Sequence, residues 1–200
     1  TEQKLGLFAQ NEFIWDDNLT VITGARLYLH QMRPKSTIPG GRGIDGLAFS
    51  PKIAAMYDFS ENFGIFGSIA HTERFPTLDE LYSFGGGKTL SLNLEKESSN
   101  NYELGFKALA YDLGGVSNTV SLKTTGFYND IDNMIASGPA GGAYYVNINK
   151  ARIYGVEVDG SYESDLFFAR LAYAYIQGEN RLTGAPLTTV PQNTLAFTLE

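Results

Sequence analysis

His30 and His71 are the only histidines in the 200-residue chain, and so the only side chains of ordinary general-base character near neutral pH. No serine, cysteine or carboxylate pattern accompanies either of them from which a nucleophile and its base could be assembled. Gly85-Gly86-Gly87-Lys88-Thr89 has the look of a phosphate-cradling loop. It lacks the upstream glycine at the required spacing, and no buried strand or long helix flanks it, so an ordinary loop is the better reading. Asp130, Asp132, Glu157 and Asp159 could be taken for metal ligands, but hydrated carboxylates facing the polar interior of a strand-built wall explain them more simply. Arg74, with Glu73, Asp79 and Glu80 near it in sequence, reads as an ion-pair group that holds a loop, with a substrate clamp as the alternative. Neither a catalytic site nor a metal site is expected, and the chain is not read as an enzyme.

The element that would position these groups is the stretch from His71 to Phe106. Phe63 to Thr72 and Ser99 to Ala110 alternate as strands on either side, and the connection between them is far longer than a tight turn needs, which marks a functional or disordered loop. Its first half is expected to be ordered. Pro76 suits the first turn of a short helix, Asp79 and Glu80 favour that end, and Phe75, Leu78, Leu81 and Tyr82 fall at helical spacing before Gly85-Gly86-Gly87 ends it.

Alternation of apolar and polar residues runs through the rest of the chain. Lys4 to Trp15 and Leu19 to Leu29 read as a hairpin turned at Asp16-Asp17-Asn18. Met32 to Gly46, with its prolines and glycines, reads as a long loop. Strands follow at Leu47 to Phe59, Phe63 to Thr72, Ser99 to Ala110, Val120 to Ile131 and Ala143 to Glu163, the last interrupted near Lys150. Phe167 to Gln177 and a ninth strand from about Thr188 towards Glu200 complete the series. Long loops are expected at Asp132 to Gly142 and Glu179 to Leu187. The connections alternate short and long, as they do in bacterial outer-membrane barrels, where short periplasmic turns and longer outer loops lie at opposite ends. Tyr28, Tyr57, Tyr128, Tyr162, Tyr173 and Tyr175 are candidates for interfacial aromatic girdles, although some could equally line the lumen.

Composition fits that reading. The chain holds 22 Gly, 12 Tyr and 13 Phe and is only 43% hydrophobic, with a mean hydropathy of -0.15. No apolar run is long enough for a transmembrane helix, while a lipid-spanning barrel hides its apolar residues in alternation. The absence of cysteine excludes disulfides and thiolate metal sites. A net charge of -7 argues against a nucleic-acid partner. Thr1 opens directly into strand-like sequence with no signal peptide, so it reads as a boundary rather than a start. The expected fold class is therefore all-β: an antiparallel transmembrane β-barrel fragment of about nine strands, too few to close and with two unpaired edges.

The long loop also carries a family resemblance. Glu73-Arg74-Phe75-Pro76-Thr77-Leu78-Asp79-Glu80-Leu81, then Leu92-Asn93-Leu94-Glu95-Lys96-Glu97, then Ser99-Asn100-Asn101-Tyr102-Glu103-Leu104-Gly105 resemble the paired boxes that bracket a loop in TonB-dependent outer-membrane receptors. Arg74, Phe75, Pro76, Asn93, Leu94 and Glu95 carry the match. Phe8-Ala9-Gln10, Ser50-Pro51-Lys52, Phe127-Tyr128-Asn129-Asp130-Ile131, Asn147-Ile148, Gly155-Val156-Glu157 and Pro191-Gln192-Asn193 follow in the family's usual order. The resemblance implies a barrel of about 22 strands with a plug domain, of which residues 1–200 would be the middle-to-late part, without the plug and the remaining strands. It implies bacterial outer-membrane location in contact with lipid, and active import of a scarce substrate such as an iron chelate (siderophore) or haem. It also implies a partnership with the TonB energy-transducing complex through the plug, and no resident cofactor. A passive porin or structural barrel, or a soluble all-β adhesive domain, are the alternatives. Haem-importing members usually carry a histidine between the two boxes; residues 74–98 have none. His71, near the outer mouth, Arg74 as a clamp and Tyr82 as a phenolate for iron are the candidate ligand-binding residues, weighed against an ordinary strand histidine, a structural ion pair and a packing tyrosine.

Overall fold

A computed structural model describes residues 1–34, 41 and 43–200. Nine strands form one sheet in sequence order: β1 (Glu2–Trp15), β2 (Leu19–Met32), β3 (Ile44–Ser60), β4 (Phe63–Arg74), β5 (Glu97–Tyr111), β6 (Asn118–Ser137), β7 (Tyr145–Ser164), β8 (Phe168–Asn180) and β9 (Thr194–Leu199). Every neighbouring pair is antiparallel, and β1 and β9 each leave one edge unpaired. A short helix, α1 (Leu78–Tyr82), lies in the β4–β5 connection, and a 3-10 turn (Leu113–Gly115) lies between β5 and β6. The all-β fragment read from alternation is what is found.

Side chains at every second position share a face, and the two faces differ in character. The outer face carries Leu104, 70% exposed, with Ile65, Ile69, Leu171, Leu195 and Phe197 also open. Tyr102 pairs with Tyr128 and Tyr128 with Tyr154, ring centroids 6.4 and 6.5 Å apart, forming a row across β5, β6 and β7. Near the short turns a second set forms from Tyr57, Phe59, Phe63 and Phe106, with Tyr162 on Phe167. Tyr154 and Tyr162 bound an outward run of Val156, Val158 and Gly160 that covers about 26 Å of strand, roughly 20 Å of depth at a tilt of about 40°. That is close to the height of a lipid-facing band flanked by aromatic girdles. Tyr28 belongs to the other face, beside His30 with centroids 6.1 Å apart.

β6 and β7 are each 20 residues long, about twice what a tilted strand needs to cross a bilayer. Above the tyrosine row the outer face turns ionic: Arg181 Nη1 lies 2.7 Å from Asp130, Arg152 lies 2.8 Å from Glu179, and Lys150 pairs with Asp132. The expectation that Asp130 and Asp132 face the interior is corrected. They share the parity of Tyr128 and point outward, beyond the apolar band, whereas Glu157 and Asp159 do face inward.

Four boundaries differ from the alternation reading. β3 begins at Ile44 because Met32 pairs with it; Gly46 therefore lies in the strand, where the Phe75 ring covers the space a side chain would take. The interior of the expected Met32 to Gly46 loop, residues 35–40 and 42, lies outside the described residues. β6 continues to Ser137 through the turn-like Asp132-Asn133, with Asn133 at φ 54, a left-handed conformation asparagine tolerates. The loop expected at Asp132 to Gly142 shrinks to residues 138–144. The loop expected at Glu179 to Leu187 instead spans residues 181–193, and β9 starts only at Thr194, because Leu187 packs against Ile131 and Ala151 with Val190 beside it. Pro191 also cannot donate to a ladder.

The inner face depends on close fits between rings and glycines. A Cβ on Gly105 would lie 2.4 Å from both Phe66 Cζ and the Thr124 carbonyl oxygen. Gly105→Val is therefore expected to lower stability by about 1–3 kcal/mol, read as a lower urea midpoint for the folded barrel.

Candidate functional site

The β4–β5 connection folds back over the inner face, and one guanidinium ties it down. Arg74 closes β4 opposite Glu97, the first residue of β5. Its Nε and Nη2 donate to the two Glu97 oxygens at 3.0 and 3.2 Å, and Nη1 donates to both Glu80 oxygens at 3.1 and 3.0 Å. Glu80 is itself fixed by a capping box: it accepts from the Thr77 amide at 2.8 Å while its own amide donates to Thr77 Oγ1 at 3.2 Å. Glu97 Oε2 also accepts the Ile135 amide at 2.7 Å. The start of the helix, the start of β5 and the upper end of β6 thus meet at Arg74. The partners differ from those read from proximity in sequence, since Glu73 and Asp79 are not among them. Thr77 is the N-cap of α1, whose first residue is Leu78; Pro76 therefore lies before the helix and not in its first turn, and it is fully buried.

Burial alone would raise the Glu80 carboxyl, but hydrogen bonds from Arg74 and the Thr77 amide outweigh it and hold it below the ordinary carboxylate range. A depressed folded-state value means that this contribution is complete above the unfolded carboxylate value, near 4.5, and is lost as pH falls through the folded one. Protease cutting within residues 83–90 is therefore expected to stay flat from pH 7 to about 5 and to rise below about 4. Glu80→Gln should remove that acid-dependent rise.

Beneath the ion-pair group the helix packs against the wall. Leu81, 2% exposed, joins Met32 of β2, Ile135 of β6 and Leu94 of the returning loop in one cluster, with Ile44, Tyr82 and Tyr145 against it. Phe75 lies 5.1 Å from the His30 ring, and His30, 3% exposed, has Nε2 3.0 Å from Glu2 Oε1. The aromatic residue of the first box is thus seated between a buried histidine and the glycine gap at Gly46, a contact between distant strands that no local spacing announces.

The second half of the loop is strapped to β6 and β7. Gly85, Gly86 and Gly87 all take positive φ, at 125°, 58° and 78°, which allows the tight reversal that brings Lys88 back to Gly85. Lys88 Nζ donates to the Gly138 carbonyl at 2.8 Å, and Thr89 exchanges backbone bonds with Gly142 and Tyr144. The Tyr145 amide donates to Ser91 Oγ at 2.7 Å, and the Glu95 amide to Asn147 Oδ1 at 2.8 Å. Leu94 of the second box is buried, while Asn93 is exposed.

Glu73 has a different task. The β3–β4 ladder ends at Lys52–Ala70, next to Pro51, and above it side chains bridge the strands. The Phe49 amide donates to Glu73 Oε2 at 2.8 Å, the Glu73 amide donates to Ser50 Oγ at 3.2 Å, and Lys96 Nζ donates to Glu73 Oε1 at 2.7 Å.

Of the three candidate ligand-binding residues, the structure brings Arg74 and Tyr82 to one loop and leaves His71 apart. Tyr82 packs on the Leu81 cluster, and its hydroxyl is buried without a partner among the described residues. His71 shares the outward face of Ile69, with Nδ1 2.8 Å from Asn100 Oδ1. Between the second box and β7 lies an open cleft of about 570 Å³, lined among others by Ser91, Asn93, Glu95, Asn133, Asn147 and Asn149. The sequence carries no signal for it, since Asn93, Asn133, Asn147 and Asn149 are scattered along the chain and only the fold places them together.

The comparisons with known proteins agree with this architecture. Residues 1–200 match the family model of the TonB dependent receptor-like, beta-barrel. Among solved structures, the chain superposes on a double mutant of the Serratia marcescens hemophore receptor HasR, in complex with its hemophore HasA and heme, with a TM-score of 0.79 at 20% identity. It superposes on the copper transporter OprC at TM-score 0.83 and 20% identity, and on the pyoverdine outer membrane receptor FpvA of Pseudomonas aeruginosa at 0.65 and 23%. Each match covers 99% of this chain but only 41%, 32% and 28% of the other, so the chain spans less than half the length of these relatives. At these identities the superpositions show a shared fold, and the family model spans the whole chain: the protein belongs to the TonB-dependent receptor-like β-barrel family.

Proposed function

We propose that this chain is part of the wall and outer loops of an outer-membrane receptor that actively imports a scarce substrate, an iron complex such as a siderophore or haem. The family match over residues 1–200 is the observation that carries this reading, and the loops folded back over the inner face support it. The receptor would draw energy from the TonB complex through a plug domain, with this segment contributing surface rather than chemistry. Arg74 and Tyr82, on the loop that covers the wall, are the candidate residues through which ligand contact or its positioning would act. His71 would act only at the outer rim. Proteins of similar fold include a hemophore receptor in complex with heme, a receptor bound to pyoverdine and a copper transporter, and on that ground a metal-bearing cargo is the first we would test. Growth under iron limitation, with defined siderophores or haem as sole iron source, should be lost on at least one source when the gene is deleted. That uptake should stop when the proton gradient is collapsed; uptake that persists without it would indicate a passive porin, and no difference on any source would end the iron assignment.

A further inference from the structure

The pairing of β3 with β4 stops partway up the wall. Its last partners are Lys52 and Ala70, while the neighbouring ladders continue upward to Met32–Ile44 between β2 and β3 and to Arg74–Glu97 between β4 and β5. The upper part of β3, from Ile44 to Pro51, is therefore laddered to β2 alone, and the upper part of β4, from His71 to Arg74, to β5 alone. The cause lies in the sequence. Continued one for one, the register would set Pro51 opposite His71 and Phe49 opposite Glu73. Alternate residues of a strand aim their main-chain groups at the same neighbour, and Phe49 aims its amide at β4. Pro51 thus stands where β4 should receive a donor, and proline has none. Ile69, which pairs with Tyr102, lies just below, so the break begins immediately above the tyrosine row.

Side chains from the root of the β4–β5 loop bridge this break. Glu73 and Lys96 flank Arg74 and Glu97, the pair at which the loop leaves and rejoins the sheet. Glu73 Oε2 accepts the Phe49 amide at 2.8 Å in place of a backbone carbonyl, and Ser50 Oγ accepts the Glu73 amide at 3.2 Å. Lys96 Nζ donates to Glu73 Oε1 at 2.7 Å and, at 3.4 Å, to the Leu47 carbonyl of β3. Phe75 crosses to the β3 side, where its ring covers Gly46 and lies 5.1 Å from the His30 ring of β2. Lys96 Nζ sits 5.8 Å from the centre of the same ring, which joins the polar and the apolar contacts in one unit. A ladder bond is fixed by two backbones. The contacts that replace it here run through side chains at the loop root, and they hold only while that root keeps its place.

We propose that the β3–β4 break is a seam in the wall, that Glu73 and Lys96 are its clasp, and that displacement of the β4–β5 loop frees the upper β2–β3 hairpin to swing away from β4. Movement of one outer loop is thereby passed through the wall to the next outer connection, between β2 and β3. This goes beyond the import reading and is independent of the cargo, because every contact in the clasp is between residues of this chain.

Amide hydrogen exchange tests it, on the full-length receptor in lipid nanodiscs without cargo, read at single-amide resolution. The Phe49 amide reports on the seam, and the Ile53 amide, in the ladder below it, reports on the wall as a whole. Lys96→Met should speed exchange at Phe49 about tenfold, the equivalent of one charge-assisted hydrogen bond, and leave Ile53 unchanged. Lys96→Arg, which keeps the cation, should restore the slow rate. Glu80→Ala tests the link to the loop, because the Glu80 side chain bonds to Arg74 and Thr77 and to no residue of β3 among the described residues. It should speed Phe49 several-fold and again spare Ile53. An unchanged Phe49 rate in Lys96→Met would remove the clasp, and an unchanged rate in Glu80→Ala would remove the coupling. Equal acceleration at Ile53 would show a general loosening of the wall with no seam in it. Each of these results overturns the proposal and leaves the import reading standing, since that reading fails only in the growth and uptake experiments.

Discussion

Arg74→Gln in the full-length receptor is expected to release the loop from the wall. The substitution removes four hydrogen bonds from the guanidinium and leaves the Glu80 and Glu97 carboxylates near one another with no cation between them. The Arg74 side chain is 42% exposed, so solvent screening reduces the loss to about 2 kcal/mol. That is enough to raise the open fraction of the loop about 30-fold. Because Glu97 also accepts the Ile135 amide and Glu80 caps α1, release should spread to the helix and to the Leu81 cluster beneath it. Limited proteolysis within residues 83–90 reads the effect directly. Arg74→Lys should rescue little of it, since an ammonium cannot present the planar fork that grips two carboxylates at once. Equal cutting rates in wild type and Arg74→Gln would show that the hydrophobic contacts of Leu81, Phe75 and Leu94 hold the loop without the ion pairs.

The second large effect is expected on the opposite face. Leu104 is 70% exposed among the described residues, and it lies one outward step below Tyr102 in the tyrosine row. Placing a charge there should cost up to about 2–4 kcal/mol, the range for Arg at the bilayer midplane, with less towards an interface. Glu103→Arg, one residue away on the inner face, should shift stability by only about 0.5 kcal/mol. Urea unfolding of the full-length protein refolded into vesicles gives both values. Similar costs at the two positions would remove the distinction between a lipid face and a water face.

Alternation made the strands legible because a barrel wall has no competing signal: every second residue answers to lipid, and register follows from short turns such as residues 16–18 and 61–62. The errors fall where local chemistry was overruled by something distant. Gly46 looked like a loop residue because glycine weakens a strand, yet a ring from 29 positions later in the chain fills its place. Asp132 and Asn133 looked like a turn, but the strand passes through them with an asparagine in the left-handed region. From sequence alone Asp130 and Asp132 read as interior, because carboxylates avoid lipid. The strands outrun the bilayer, and above it an outward carboxylate simply meets water and a cation.

The loop was legible in part. Its paired boxes and the short helix stood out, as did a structural role for Arg74. Glu97 as a partner was not legible, because it lies across the β4–β5 pairing and not along the helix. The buried seat of Phe75 on His30 and the asparagine cleft were not legible either, since each gathers residues from strands far apart in sequence. His71 draws attention by its residue type, yet its outward parity, shared with Ile69, is legible in the same alternation that defines the strand.

The most direct measurement is of the faces themselves. Single cysteines at Glu103, Leu104, Phe106 and Lys107, in a cysteine-free background of the full-length receptor in lipid, can carry spin labels whose relaxation is tested with oxygen and with a water-soluble nickel chelate. Labels at 104 and 106 should respond to oxygen and be shielded from nickel, while those at 103 and 107 should respond to nickel. Equal nickel access at all four positions, or high oxygen access with nickel shielding at 103 and 107 as at 104 and 106, would contradict a wall with lipid on one face only.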